Sequence, residues 1–160
     1  MSPTDPSTLT TTQHSRAASL DAIRQTDWGR GLDASVLEAM LDHVQSYRVA
    51  KGGVIFRIGD PGTFMAFIVS GSIRAFRGEH TIAMLTGGNS FGEMSLVDDE
   101  PRSASIEALT ESDILVLTTL DFNALLQSHP DIASRILVQV SRVLSQRVRY
   151  LNQRLFETAT

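Results

Sequence analysis

From Phe91 the chain reads Phe-Gly-Glu-Met-Ser-Leu-Val-Asp-Asp-Glu-Pro-Arg-Ser-Ala-Ser, ending at Ser105. Four of these residues carry chemistry that belongs together. Gly92 has no Cβ, so a ligand can come close to its backbone N–H. The turn after it, Glu93 to Leu96, is expected to be one short helical turn with its free N–H groups aimed at an anion. Arg102, nine residues beyond Glu93, offers a planar fork of donors that matches two phosphate oxygens. Ser103 adds a hydroxyl beside it. Glu93 has the wrong sign to serve a phosphate. It makes sense as the acceptor of a hydrogen bond from a neighbouring hydroxyl, such as a ribose 2′-OH. An anion and a sugar hydroxyl held side by side describe a nucleotide. The plainer alternative is a surface loop in which Glu93 caps a turn and Arg102 is solvated.

The elements that would position this stretch are short strands. From Tyr47 onward apolar runs alternate with glycine-bearing turns: Lys51-Gly52-Gly53, Gly59-Asp60-Pro61-Gly62, Ser70-Gly71, Arg77-Gly78 and Gly87-Gly88-Asn89. The pattern predicts strands over 45–49, 54–56, 66–69, 72–76, 82–85, 103–108 and 114–118. Strands this short at this spacing predict an antiparallel β-roll rather than a parallel sheet. The functional stretch, 91–105, is a helical insertion between the fifth and sixth of them, where a binding loop on a rigid frame belongs.

Helices flank the roll. A short one is predicted over 20–25, and a second over 34–43, with Asp33 as N-cap and Val36, Leu37, Met40 and Leu41 at helical spacing. After the last strand, Thr118 and Asp121 make a capping-box-like pair for a helix over 120–127, and Ser128 with Asp131 repeats the signal. The final helix is predicted over 130–156, roughly 40 Å at about 1.5 Å per residue. It carries two stripes. Leu137, Ser141, Leu144, Val148, Leu151 and Leu155 recur at alternating four and three, the seam of a coiled coil. Ile136, Val140 and Val143 form a face for the roll, which turns polar at Arg147. If the helix crosses the mouth of the roll, Arg147 sits over the ligand and can stack on a purine or donate to its edge.

Composition bounds the rest. A length of 160 residues is one domain by the usual prior, and 42% hydrophobic residues suffice for a core. A net charge of −4 argues against a general nucleic-acid binder. The arginines of the last helix, Arg135, Arg142, Arg147, Arg149 and Arg154, could contact nucleic acid, but the commoner meaning is a solvated face with cations favoured toward the helix C-terminus. Without cysteine, disulfides and thiolate metal sites are excluded. The histidines His14, His43, His80 and His129 do not pair at ligand spacing, so no metal is expected, and no nucleophile with an obvious base argues for catalysis. No leader or membrane span is legible, which predicts a cytoplasmic protein. Residues 1–19, rich in Ser, Thr and Pro, are expected to be a disordered tail. Within them Arg16-Ala17-Ala18-Ser19 has the look of a basophilic kinase site. The expected organisation is thus tail 1–19, N-terminal helices 20–44, β-roll 45–118 and C-terminal lid or dimerisation helices 119–160.

The string FGEMSLVDDEPRSASIEA resembles the phosphate-binding cassette of the cyclic-nucleotide-binding domain family, and the similarity runs from about Leu32 to about Tyr150. The whole string is specific where a bare Gly-Glu or Pro-Arg pair would not be. The resemblance implies a mainly β fold, a jelly-roll-like β-roll with flanking helices. It also implies a ligand set of Phe91, Gly92, Glu93, Met94 and Ser95 on the turn, with Arg102, Ser103 and Ala104 entering the next strand. Positions counted from the cassette and from Gly71 place Ala75 and Ile82 as walls beside the purine, although both could be plain core. In the family the final helix is a lid over the base. The resemblance sets Arg147 and Val148 where relatives carry base-contacting polar residues, and Val148 departs from that pattern.

The implied function is a stand-alone receptor for a cyclic mononucleotide, cAMP favoured over cGMP, that moves its helical lid on binding. It would signal to an effector protein and pair with a second copy through the last helix. The chain ends shortly after that helix, so no DNA-binding domain is expected. The alternative is a dimerisation or interaction module that kept the fold and uses no nucleotide. Ser103 is compatible with either purine, and a cyclic dinucleotide is disfavoured because one arginine poorly neutralises two phosphates.

Overall fold

The computed structural model describes residues 9–159. Two antiparallel sheets face each other as a β-roll. The first has the order β1 (Leu9–Thr11), β2 (Val44–Val49), β9 (Ser112–Thr118), β4 (Phe64–Ser70), β7 (Ser90–Phe91). The second has the order β3 (Val54–Phe56), β8 (Ser105–Ala108), β5 (Ser72–Arg77), β6 (His80–Thr86). Helices α1 (Arg16–Arg24), α2 (Asp27–Arg30), α3 (Ala34–Leu41), α4 (Thr119–Ser128) and α5 (Pro130–Ala159) cover one side.

Strands β4 and β9 explain why the chain is continuously apolar there. Side chains alternate between the faces of a strand. Phe64, Ala66, Ile68, Ile114 and Val116 point into the roll, where Ile55, Phe56, Ile73 and Ile106 complete a core between the sheets. Met65, Phe67, Leu115 and Leu117 point the other way and meet Trp28, Leu37, Met40, Phe122, Ile136 and Val140 of the helices. Both faces are buried, so these strands lack a polar alternation.

The structure corrects several expectations. Residues 9–19 are ordered, whereas the disorder expected over residues 1–8 lies outside the described residues, as does Thr160. Leu9–Thr11 pairs antiparallel with β2, Leu9 opposite Val49. The segment pairs with the free edge of that strand, and its one leucine, Leu9, packs against the core between the sheets. Ser15 caps α1, its Oγ accepting from the Ala18 N–H at 3.1 Å, and Arg16 reaches Glu38 and Asp42 at 2.9 and 2.7 Å. Ser19 is buried in the body of α1, so the kinase site read at Arg16–Ser19 is not accessible. Two short elements, α2 and β7, escaped the periodicity because four and two residues carry too little of it. Ser128 does not cap α5. It ends α4, with its Oγ donating back to the Ala124 carbonyl. Thr118 does cap α4, accepting from the Asp121 N–H at 3.0 Å.

Candidate functional site

The cassette folds as a single 3₁₀ turn, Glu93–Leu96, between β7 and the return to β8. Gly92, at its start, takes φ +77°. Sequence reasoning assigned this glycine to close ligand approach. The structure adds a second reason: a Cβ here would lie 2.9 Å from Arg102 Nη1 and 2.9 Å from the Phe64 carbonyl oxygen. Gly92 is therefore the notch into which the guanidinium fits.

Arg102 is 7% exposed. Its Nη1 donates to Ser95 Oγ at 2.6 Å and its Nη2 to the Phe64 carbonyl at 2.7 Å, while the fork lies 3.9 Å over the Phe56 ring. Its Nε is buried without a hydrogen-bond partner. Burial lowers its pKa to about 10, against the upward pull of Asp60 and Glu93. The group remains a cation at neutral pH, held by neutral oxygens and an aromatic face rather than by a carboxylate pair. A desolvated charge of this kind is costly until an anion meets it.

Glu93, 1% exposed, is the opposite case. Its carboxylate is held at both oxygens: Arg147 donates from Nη1 to Oε2 at 2.7 Å and from Nη2 to Oε1 at 3.0 Å, and the Ser90 hydroxyl donates to Oε1. Arg147 also donates to the Ser90 carbonyl at 2.7 Å. The sequence reading set Arg147 over the ligand, and here it lines the cavity while paired to Glu93. Its guanidinium lies at the level of the turn, drawn there by a buried carboxylate that would otherwise lack a countercharge. Val148 is exposed and faces away from the cavity. Tyr150 and Leu151, one turn on, line it. Their spacing of three and four residues from Arg147 was the signal that could have found them.

The turn, the inner face of β5 and β6, and α5 enclose a cavity of about 520 Å³. That is within the range of small-molecule sites. Every residue proposed from the sequence lines it: Ala75, Ile82, Phe91, Gly92, Glu93, Met94, Ser95, Arg102, Ser103, Ala104 and Arg147. They are not equivalent. Ala75 and Phe91 are also part of the core between the sheets. Ile82 is 53% exposed, a wall rather than core. Met94 and Ser103 are exposed, and Ser95 is buried beneath Arg102. Sequence reasoning missed Phe56, the floor under the arginine, and the acidic rim of Asp98 and Glu100. Polar groups gather at the turn, while Ala83, Leu85, Tyr150 and Leu151 make the far end largely apolar. Among the described residues, no cluster of three His, Cys, Asp or Glu could hold a metal ion, and no helix is long and apolar enough to cross a membrane.

This geometry accords with the comparisons. A family model described as "Cyclic nucleotide-binding domain" matches residues 47–129. A cyclic nucleotide-gated potassium channel of Rhizobium etli is 41% identical over 101 residues, 61% of this chain and 28% of the channel. The cyclic AMP receptor protein of Thermus thermophilus is 34% identical over 134 residues, covering 81% of this chain and 62% of that protein. The chain thus spans less than two thirds of either relative. The crystal structure of a cyclic nucleotide-binding domain from Methylobacillus flagellatus superposes with a TM-score of 0.82 over 95% of this chain and 90% of that one, at 23% identity. The cassette, the roll that carries it and the family match agree, and the chain belongs to the cyclic nucleotide-binding domain family.

Proposed function

We propose that this chain is a receptor for a cyclic mononucleotide, cAMP in preference to cGMP, and acts as a regulatory module rather than a catalyst. In this reading Arg102 meets the cyclic phosphodiester and Glu93 accepts from the ribose 2′-hydroxyl. Ala75, Ile82, Tyr150 and Leu151 enclose the base. The observation that carries it is Arg102, a buried cation on the cavity wall whose charge the surrounding neutral oxygens do not neutralise. Charge also supports one phosphate rather than two. Arg102 and Arg147 against Glu93 leave one net positive charge, which a monoanion cancels. The acidic rim of Asp98 and Glu100 opposes a second phosphate. The preference for adenine rests on the apolar far end of the cavity and on the relative named a cyclic AMP receptor protein.

Binding would be signalled through α5. Its first half is anchored by Ile136, Val140 and Val143, whereas beyond these residues the Arg147–Glu93 pair ties the helix to the cassette. A ligand that engages Glu93 therefore acts on the carboxylate that pairs with Arg147 of the lid. Such a shift is limited to the ligand's differential affinity for the two lid positions. The exposed Val148, Leu151 and Leu155 of the same half would pair with a second copy, and the altered surface would be read by an effector protein.

Thermal denaturation with cAMP, cGMP and cyclic di-GMP tests the reading. A ligand bound only to the folded state raises the Tm. The expected order is cAMP, then cGMP, with no rise for cyclic di-GMP. No rise with either mononucleotide at millimolar excess would favour an interaction module that uses no nucleotide.

A further inference from the structure

Ser90 joins two buried groups, only one of which touches the cavity. Its Oγ accepts from the Trp28 indole N–H at 3.0 Å and donates to Glu93 Oε1. An indole N–H can only donate and a carboxylate can only accept, so the hydroxyl between them has a single orientation. Ser90 is 4% exposed and Trp28 1%, so both bonds are shielded from bulk solvent. Trp28 is itself well held. It packs edge-to-face on Phe67 with ring centroids 5.4 Å apart, and its neighbour Asp27 accepts at its carbonyl from Gln139 Nε2 of α5 at 3.0 Å. A rigid donor in the helical core thus fixes a hydroxyl, which in turn fixes one oxygen of the cassette carboxylate.

The consequence lies in which lone pair remains. Oε1 accepts twice, from Ser90 and Arg147, whereas Oε2 accepts once. A carboxylate has about four acceptor positions, and the one left free is on Oε2. The terminal torsion of a glutamate is broad, so without Ser90 only Arg147, a side chain of the lid helix, would hold the two oxygens in this arrangement. We infer that Ser90 and Trp28 are positioning residues that orient Glu93 and thereby set selectivity for the ribose 2′-hydroxyl. The inference rests on Glu93 receiving that hydroxyl, as proposed above. Trp28 touches no ligand in this scheme and acts wholly through Ser90.

The test is calorimetric titration of wild type, Ser90→Ala and Trp28→Phe with cAMP and with 2′-deoxy-cAMP. A hydrogen bond to a charged group implies that wild type prefers cAMP by about ten- to a hundredfold. Each variant should weaken cAMP by about three- to tenfold and leave 2′-deoxy-cAMP unchanged, so that the ratio contracts. A general loss of packing would weaken both ligands together. An unchanged ratio in the variants, beside a wild type that discriminates, overturns this inference and leaves the binding reading intact. A wild type that binds cAMP without regard to the 2′ position also overturns it. A wild type that binds neither nucleotide overturns both. If the variants unfold, the wild type supplies the second readout, because Trp28 is the single tryptophan. Its emission should change on saturation with cAMP and change less with 2′-deoxy-cAMP. Equal changes, or none with cAMP, contradict the proposal.

Discussion

At position 92 any side chain would press on the Arg102 guanidinium and on the Phe64 carbonyl, in a backbone conformation with φ +77°. Gly92→Ala is therefore expected to cost about 1 kcal/mol of stability from the left-handed backbone alone. It should cost more in nucleotide affinity, because Arg102 must shift. Denaturant unfolding and calorimetry on the same variant separate the two effects, and an affinity equal to wild type would show that the fork is free to move. At this scale the sequence was most informative where partners are local. The glycine, the carboxylate and the arginine lie within one short string and could be read together. What escaped was the set of contacts made by folding. Arg147 reaches Glu93 across 54 positions and Trp28 reaches Ser90 across 62, and nothing in either neighbourhood announces its partner.

Among the elements, the strand pair β2–β9 sits at the centre of the first sheet and is pinned by a bidentate contact. Arg48 donates from Nε to Asp113 Oδ1 at 2.8 Å and from Nη2 to Oδ2 at 3.1 Å, with His14 Nε2 also 3.4 Å away. The Arg48 guanidinium holds the Asp113 carboxyl below the ordinary carboxylate range. A depressed folded-state value means that the unfolded chain binds the proton more readily. The stabilisation is therefore present above the ordinary carboxylate range and lost as pH falls through the folded-state value. Asp113→Asn should lower the Tm at neutral pH, and the gap to wild type should close in acid. A gap independent of pH would mean that the carboxylate's charge is not what pins the strands. The roll itself was legible from its alternating strands and glycine turns. Its edges were not, since β1 and β7 are too short to show a period and owe their order to neighbouring strands.

On the scale of the whole molecule, one helix is divided between a buried half and an exposed half. The inward residues of α5, Ile136 and Val140, are fully buried in the helical core, yet Leu151 is 56% and Leu155 68% exposed. The seam read from the sequence as a coiled coil is therefore divided. Leu137 and Leu144 pack within the chain, and the later positions Val148, Leu151 and Leu155 are exposed. Sequence periodicity could not separate these uses, because both want leucine at the same spacing. Light scattering should give a dimer for wild type and a monomer for Leu151→Asp with Leu155→Asp. A monomeric wild type would remove the second copy from the scheme. The claim on which the molecule's role depends remains the meeting of a buried guanidinium with a cyclic phosphodiester. Calorimetric titration of cAMP into wild type and Arg102→Ala tests it most directly. Wild type should bind with micromolar affinity and the variant should lose about 2–4 kcal/mol, as expected when a buried phosphate loses its countercharge. Equal affinity in the two proteins would contradict it.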